Sequence, residues 1–158
     1  MPANKRSPFP WRLMRVMRPW VMFWAGRLPL LAGILLVLET TGRVSGRPRR
    51  TPLQYEWIDG VYFLGAARGV RSDWYRNLQK HAEVRIRIGR TWIACKAAPL
   101  NQLEDKIAFL QTRLERHPRM VARMLRYHGA TAAIQPGDLL RAAEEIAVVS
   151  VTPVQSGE

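Results

Sequence analysis

Over most of its central region the chain alternates hydrophobic and polar positions with the period of two that strands require. The clearest case is residues 83–88, where one valine and two isoleucines alternate with arginines. A nearly continuous apolar run at residues 31–40 is typical instead of a strand that is buried on both faces or closed into a barrel. The pattern predicts six strands, at residues 31–40, 51–58, 61–66, 83–88, 91–97 and 146–151.

Two tight turns connect these runs into hairpins. Asp59-Gly60 separates the second run from the third and is one of the strongest short hairpin signals. Gly89-Arg90 separates the fourth run from the fifth in the same way. Six strands with mostly hairpin connections favour a small antiparallel barrel over a layered parallel sheet.

Three helices are predicted between and after the hairpins. Ser72 with Asp73 supplies an N-cap and an acidic first turn for a helix over residues 73–80. Asn101 with Glu104 resembles a capping box and predicts a helix to about residue 115, and a further helix over residues 118–127 begins at a proline.

The N-terminal segment predicts an amphipathic helix over residues 11–27, after a short basic tail. Its arginines share one face, and tryptophan, phenylalanine and aliphatic residues cover the other. Such a helix fits either a peripheral contact with an anionic membrane or a cap on the apolar end of the domain. We therefore divide the chain into residues 1–27, a basic tail with an amphipathic helix, and residues 28–158, a single barrel domain.

Charge narrows the classes of partner. The chain has 158 residues and a formal net charge of +13, and nearly all of its cations are arginines. This balance requires an anionic partner, such as nucleic acid, anionic lipid or a small molecule that bears phosphate or carboxylate. Nucleic acid is the least favoured of these, because the arginines cluster in loops that carry other motifs.

Cysteine and histidine exclude several kinds of site. The single cysteine, Cys95, cannot form an internal disulfide and is expected to be a small buried residue of a protein in a reducing, cytoplasmic compartment. The three histidines lack metal-ligand spacing with it, so no metal site is expected. The longest apolar run, residues 28–38, is too short to span a bilayer, and no signal-peptide cleavage pattern follows the basic tail.

Two segments combine turn residues with arginines. Residues 40–52 read TTGRVSGRPRRTP, where two glycines permit a tight turn among four arginines. Residues 66–78 place Arg68 and Gly69 just before a predicted helix N-terminus and Trp74 in its first turn. Backbone amides and guanidinium groups in this arrangement suit a phosphate attached to a flat ring.

Together these segments resemble the deazaflavin-dependent nitroreductase family, which belongs to the flavin-reductase-like split β-barrel superfamily. The resemblance is carried by TTGRVSGRPRRTPLQY, DGVYFLGAARG and DWYRNLQKHAEVRIRIG, and it covers roughly residues 35–100. It implies an α+β, mainly β fold, a six-stranded antiparallel split β-barrel with flanking helices. It also implies an oxidoreductase that transfers a hydride from reduced 8-hydroxy-5-deazaflavin coenzyme (F420) to a quinone or nitroaromatic acceptor, and a possible homodimer.

By position, the resemblance assigns coenzyme contacts to residues of both segments. The phosphate and ring edge would be surrounded by Arg43, Ser45, Gly46, Pro48 and Arg49 above a floor of Thr51 and Pro52, and the remaining contacts would come from Arg68, Gly69, Trp74 and Asn77. Gln54 and Tyr127 would line the acceptor site. No catalytic side chain is required, because the coenzyme supplies the hydride.

The chain departs from the family pattern at Val44, where lysine is usual, at Gln54, where an aromatic residue is common, and in a shortened stretch after Gly69. Arg47, Arg50 and Arg71 are expected to compensate for the missing lysine. Two alternatives stay open: a barrel reductase that binds flavin mononucleotide (FMN), and a non-catalytic barrel that binds a membrane surface or a hydrophobic ligand.

Overall fold

A computed structural model describes residues 35–66, 68–127, 129–130 and 133–154. Its strands are β1 Leu35–Thr41, β2 Pro48–Ile58, β3 Val61–Ala66, β4 Glu83–Ile88, β5 Thr91–Pro99 and β6 Ala147–Pro153. The helices within these ranges are α1 Asp73–Lys80, α2 Leu103–Arg116, α3 Pro118–Tyr127 and α4 Pro136–Glu145, with a 3-10 helix at Gly69–Arg71. The predicted helix over residues 11–27 lies outside the described residues.

The six strands form a closed antiparallel barrel in the order β1-β2-β3-β6-β5-β4. Closure depends on β1, which pairs with β2 along its whole length and with β4 from Val37 to Glu39. The C-terminal strand β6 fits between β3 and β5, opposite Tyr62 on one side and Cys95 on the other. The predicted antiparallel barrel is therefore confirmed.

Both predicted hairpins are present. Asp59 and Gly60 adopt positive φ angles of 48° and 82°, as the two central residues of a type I′ turn require. Gly89 has a φ of 58° and connects β4 to β5. These turns fix the register of β2 with β3 and of β4 with β5.

The barrel interior is filled by the inward residues of all six strands. Leu36, Leu38 and Ile86 are fully buried there, and α1 contributes Trp74, Tyr75 and Leu78 from one end. Full burial stabilises an aliphatic side chain of this size by roughly 1.5–3 kcal/mol. Helix α1 therefore closes one end of the barrel with its apolar face.

A second core lies outside the barrel, where α2, α3 and α4 cover β3 and β6. Phe109 and Leu110 of α2 pack there with Val148 of β6 and with residues of the other two helices. A Cβ atom at Gly65 would lie 3.3 Å from the ring of Phe109, so glycine at this point of β3 lets α2 approach the sheet. Met120, Met124 and Leu125 belong to this core, as ordinary packing residues.

Three details differ from the sequence expectations. Strand β2 begins at Pro48 rather than at residue 51, because its first residues pair with the end of β1. Helix α2 begins at Leu103 with Gln102 in the N-cap position, so the proposed capping box at Asn101 is wrong. Helix α4 was not predicted, although its Pro136 start and a hydrogen bond from the Gln135 backbone N–H to Asp138 Oδ2 (2.8 Å) are ordinary N-terminal features.

None of the helices in the described ranges is long and apolar enough to cross a bilayer.

Tyr55 and Tyr62 meet edge-on inside the barrel with ring centroids 5.5 Å apart, and burial raises the pKa of both phenols. Cys95 lies in the same interior, where burial raises the pKa of its thiol to about 11. The expectation that Cys95 is a small buried residue is confirmed.

The buried thiol gives a pH-dependent prediction. Because the folded-state pKa lies above the unfolded value, Cys95 contributes stability that is fully present below about pH 8.5 and is lost as the pH rises towards 11. Urea unfolding of wild type and Cys95→Ala between pH 7 and 10.5 should show a stability difference that shrinks with pH. A difference in the free energy of unfolding that stays constant to pH 10.5 contradicts a raised pKa of the buried thiol.

Candidate functional site

The barrel brings the two arginine-bearing segments to the same end. Because neighbouring strands are antiparallel, the end of β1, the start of β2 and the end of β3 all point to one end of the barrel, opposite the Asp59-Gly60 and Gly89-Arg90 hairpins. The turn at residues 42–47, which connects β1 to β2, thus lies at the same end of the barrel as the residues that lead from β3 into α1. The two segments form one candidate site.

Two glycines shape the turn for different reasons. Gly46 has a φ of 66°, and its N–H donates to the carbonyl of Gly42 at 2.8 Å. Gly42 does not have a positive φ; a Cβ there would lie 2.8 Å from Ser45 Oγ and 3.1 Å from the Arg47 carbonyl. The turn therefore needs glycine at residue 46 for backbone conformation and at residue 42 for close approach.

Arg43 fastens the turn to α1. Its backbone N–H and its Nη1 both donate to Asn77 Oδ1 at 3.1 Å, and its Nη2 lies 3.0 Å from Asp73 Oδ1. Asn77 Nδ2 donates to Thr40 Oγ1 at 3.2 Å, and Lys80 Nζ donates to the Arg43 carbonyl at 3.0 Å. Since α1 is held by the barrel core, these bonds fix the turn relative to the barrel.

The turn presents cations to solvent. Arg47 and Arg49 are exposed, and within the described ranges neither has a carboxylate partner; Arg49 Nη2 donates to Ser45 Oγ at 3.5 Å. Val44 lies beside them and is 91% exposed. The result is a turn, held by hydrogen bonds, whose exposed guanidinium groups suit a phosphate or carboxylate.

The second segment is fixed by a backbone contact. Gly69 is buried with a φ of 56°, and a Cβ there would lie 2.4 Å from the carbonyl oxygen of Glu145 at the end of α4. Arg68 precedes it and is exposed. Ser72 occupies the N-cap position of α1, as predicted, although its side chain makes no capping hydrogen bond.

Four of the residues that were predicted to contact the coenzyme lie in surroundings different from those expected. Trp74 is 7% exposed and packs within the barrel core, and Asn77 is 4% exposed with both amide atoms bonded to the turn. Thr51 and Pro52 are consecutive on β2 and so face opposite sides of the sheet. Trp74 and Asn77 thus support the site from within, and Pro52 shares the outward face of β2 with Gln54.

A buried ion cluster, which sequence reasoning missed, lies farther along this outward face. The Glu56 side chain is 3% exposed; its Oε1 lies 3.2 Å from Arg113 Nε and 3.4 Å from His117 Nε2, and its Oε2 lies 3.2 Å from Arg116 Nη1. Arg113 Nη2 also donates to Gln54 Oε1 at 2.9 Å. Burial lowers the pKa of Arg113, and the Glu56 carboxylate opposes that shift. The only sequence signal was three basic residues at the end of α2.

Two remaining expectations concern a metal site and the position of Tyr127. In the part of the chain that the structure describes, no three His, Cys, Asp or Glu side chains are grouped to hold a metal ion. Tyr127 ends α3, and its side chain is not among those described.

Comparisons with known proteins agree with this fold. An F420-H2-dependent reductase (FDR-A) superposes with a TM-score of 0.52 at 22% identity, covering 74% of this chain and 92% of that one. A structure described as a domain-swapped dimer superposes with a TM-score of 0.54 at 21% identity, covering 89% and 96%. At such identities these likenesses establish the fold, the split barrel of flavin-reductase-like proteins.

The family is established by the sequence. A family model of the F420H(2)-dependent quinone reductases matches residues 22–127, and the chain belongs to that family. An F420H(2)-dependent quinone reductase of Mycobacterium tuberculosis is 33% identical over 78 residues, which are 48% of this chain and 52% of that protein. The chain thus spans about half the length of the curated relatives it matches.

The hydrogen bonds of Asn77 give a prediction about stability. Asn77→Ala removes the acceptor of two Arg43 donors and should lower the free energy of unfolding by roughly 2–3 kcal/mol, measured by urea denaturation. Asp73→Asn, which weakens an ion pair whose carboxylate is 80% exposed, should cost under about 1 kcal/mol. Equal losses in the two variants argue against the role of Asn77 as the main attachment of the turn.

Gly69 and Gly89 form a matched pair, because their φ angles are 56° and 58°. Gly89→Ala, which meets nothing within 4 Å, should cost roughly 1–2 kcal/mol from backbone strain alone. Gly69→Ala adds a clash with the Glu145 carbonyl and should cost at least about 3 kcal/mol. Thermal unfolding of the two variants tests this, and similar melting temperatures would show that the close approach to the Glu145 carbonyl adds no cost.

Proposed function

We propose that the chain is an F420-dependent oxidoreductase that transfers a hydride from the reduced deazaflavin coenzyme to a quinone or nitroaromatic acceptor. The observation that carries this proposal is the hydrogen-bonded turn with two exposed arginines that lack carboxylate partners in the described residues. Family membership supports it, and so does the name of the M. tuberculosis relative, a quinone reductase.

The residues of the turn fit an anionic coenzyme group. The absence of a Cβ at Gly42 leaves the turn compact, with Ser45 Oγ within 3.5 Å of Arg49 Nη2. Arg47 and Arg49 would neutralise a phosphate, and Arg68 would neutralise a carboxylate of the tail. Arg43 would act indirectly, since its guanidinium already bonds to Asn77 and Asp73.

The chemistry divides between coenzyme and protein. When bound, the reduced deazaflavin supplies the hydride, so no nucleophile or acid–base dyad is required of the chain. The turn would hold the anionic end of the coenzyme. On the outward face of β2, Pro52 would contact the ring and Gln54 the acceptor, and the helices beside this face would restrict access of water.

We propose a cytoplasmic protein with peripheral membrane contact through residues 11–27, supported by their arginine and aromatic pattern. Homodimer formation is supported by likeness to a structure described as a domain-swapped dimer. Pelleting with anionic liposomes and light scattering test these two proposals separately.

Charge reversal tests the coenzyme site. Arg49→Glu and Arg68→Glu should each weaken binding of oxidised F420 at least about tenfold, because each replaces an attractive cation by a repulsive anion. Arg90→Glu makes the same charge change at the opposite end of the barrel and should leave the affinity within about twofold. Binding is followed by tryptophan quenching, with FMN titrated in parallel.

The outcomes separate the alternatives. If F420 affinity falls equally in all three variants, the effect comes from the net charge of the protein and not from Arg49 and Arg68 in particular. If the protein binds FMN but not F420, it is the flavin-binding reductase of the first alternative. If it binds neither cofactor, the non-catalytic barrel is favoured.

A further inference from the structure

Gln54 is an exposed residue of strand β2, yet its side chain is hydrogen-bonded to a buried, charged residue. Its carboxamide oxygen accepts from Nη2 of Arg113 at 2.9 Å, across 59 residues of sequence. Arg113 is itself buried, and its Nε lies 3.2 Å from Oε1 of the buried Glu56 carboxylate, although no hydrogen bond joins these two atoms. An exposed amide is thus oriented by a charge pair that lies beneath it.

The direction of the amide follows from hydrogen-bond chemistry. A guanidinium only donates, so it must contact the oxygen of the carboxamide and never the nitrogen. With the oxygen of Gln54 bonded to Arg113, the amide nitrogen points to the other side. Within the described residues no hydrogen bond engages that nitrogen, so the NH2 group is a fixed and available donor.

Packing alone does not explain this arrangement. Burying Arg113 and Glu56 costs desolvation of two charges, and apolar residues of similar size commonly fill such a position with equal or greater stability. Burial lowers the pKa of Arg113, which records that cost. The charged cluster around Glu56 attaches the end of α2 to β2, and its Arg113 also orients Gln54, which an apolar residue at 113 would not do.

The amide also lies on the face that the proposed function uses. Gln54 follows Pro52 on the outward side of β2, five residues from Arg49 and therefore roughly 17 Å along the strand. Helix α2, which carries Arg113, borders this face.

We propose that Gln54 is a specificity-determining residue whose NH2 group donates a hydrogen bond to an oxygen of the acceptor, a quinone carbonyl or a nitro group. Arg113 is its positioning residue, and Glu56 holds Arg113. This inference rests on the proposed function. As the quinone takes up a hydride, and then a proton from solvent, to become the hydroquinone, negative charge develops on its oxygen. The Gln54 amide stabilises that charge without giving up its proton.

Two substitutions of Gln54 separate the donor from the Arg113 contact. Gln54→Glu keeps an oxygen for Arg113 but removes the donor, and Gln54→Met removes both. Each should lower kcat/KM for menadione, a soluble naphthoquinone, by about tenfold or more, mainly through kcat, while F420 affinity changes by less than about twofold. Gln111→Met, on the exposed side of α2, is the control and should match wild type.

A nuclear magnetic resonance measurement tests the positioning role independently of turnover. The side-chain NH2 signals of Gln54 are assigned by their loss in Gln54→Met. Arg113→Lys keeps a cation beside Glu56 but lacks the planar fork, so it should shift these signals towards those of a free amide and lower menadione kcat/KM. Saturation of wild type with menadione should also shift them.

The outcomes distinguish this inference from its foundation. Absence of menadione and nitroaromatic reduction by the wild-type chain with reduced F420 overturns the proposed function, and the inference with it. Wild-type turnover that Gln54→Met and Gln54→Glu leave intact overturns the role of Gln54 alone. Unmoved Gln54 signals in Arg113→Lys overturn the positioning role of Arg113.

Discussion

Closure of the barrel through the pairing of β1 with β4 is the constraint on which the rest of the structure depends. Strand β1 has two partners, and its short pairing with β4 completes the ring of backbone hydrogen bonds. Closure leaves two open ends, and each must be covered or remain in water. Helix α1 covers one end with Trp74, Tyr75 and Leu78, and in doing so it provides Asn77 to hold the turn. The site is thus attached to the same element that seals the core.

The fold was largely predictable because its signals are local. Alternation along β4 and the Asp59-Gly60 turn depend on neighbours in sequence, and they gave the hairpins and the antiparallel arrangement. Helix α4 was missed because its apolar residues are few, two leucines and two alanines, and they lie within a polar segment. The start of β2 was placed three residues late because pairing with β1, rather than local propensity, sets it.

The site was predictable only in part. The exposed arginines of the turn follow from the motif, and the structure places them at the same barrel end as Arg68. The interior position of Trp74 and the bonds of Asn77 were not predictable, because they depend on how α1 packs against β1. The contact of Gln54 with Arg113 was invisible for the same reason, since 59 residues separate the two.

The contact between Gly69 and the Glu145 carbonyl has a consequence for how such sequences diverge. The family match ends at residue 127, yet the segment before α1 rests on a residue beyond that limit. The supporting atom belongs to the main chain, so almost any residue at position 145 supplies it equally well. The side chain at residue 145 can therefore change while the support persists, and the sequence constraint of this contact falls on glycine at residue 69.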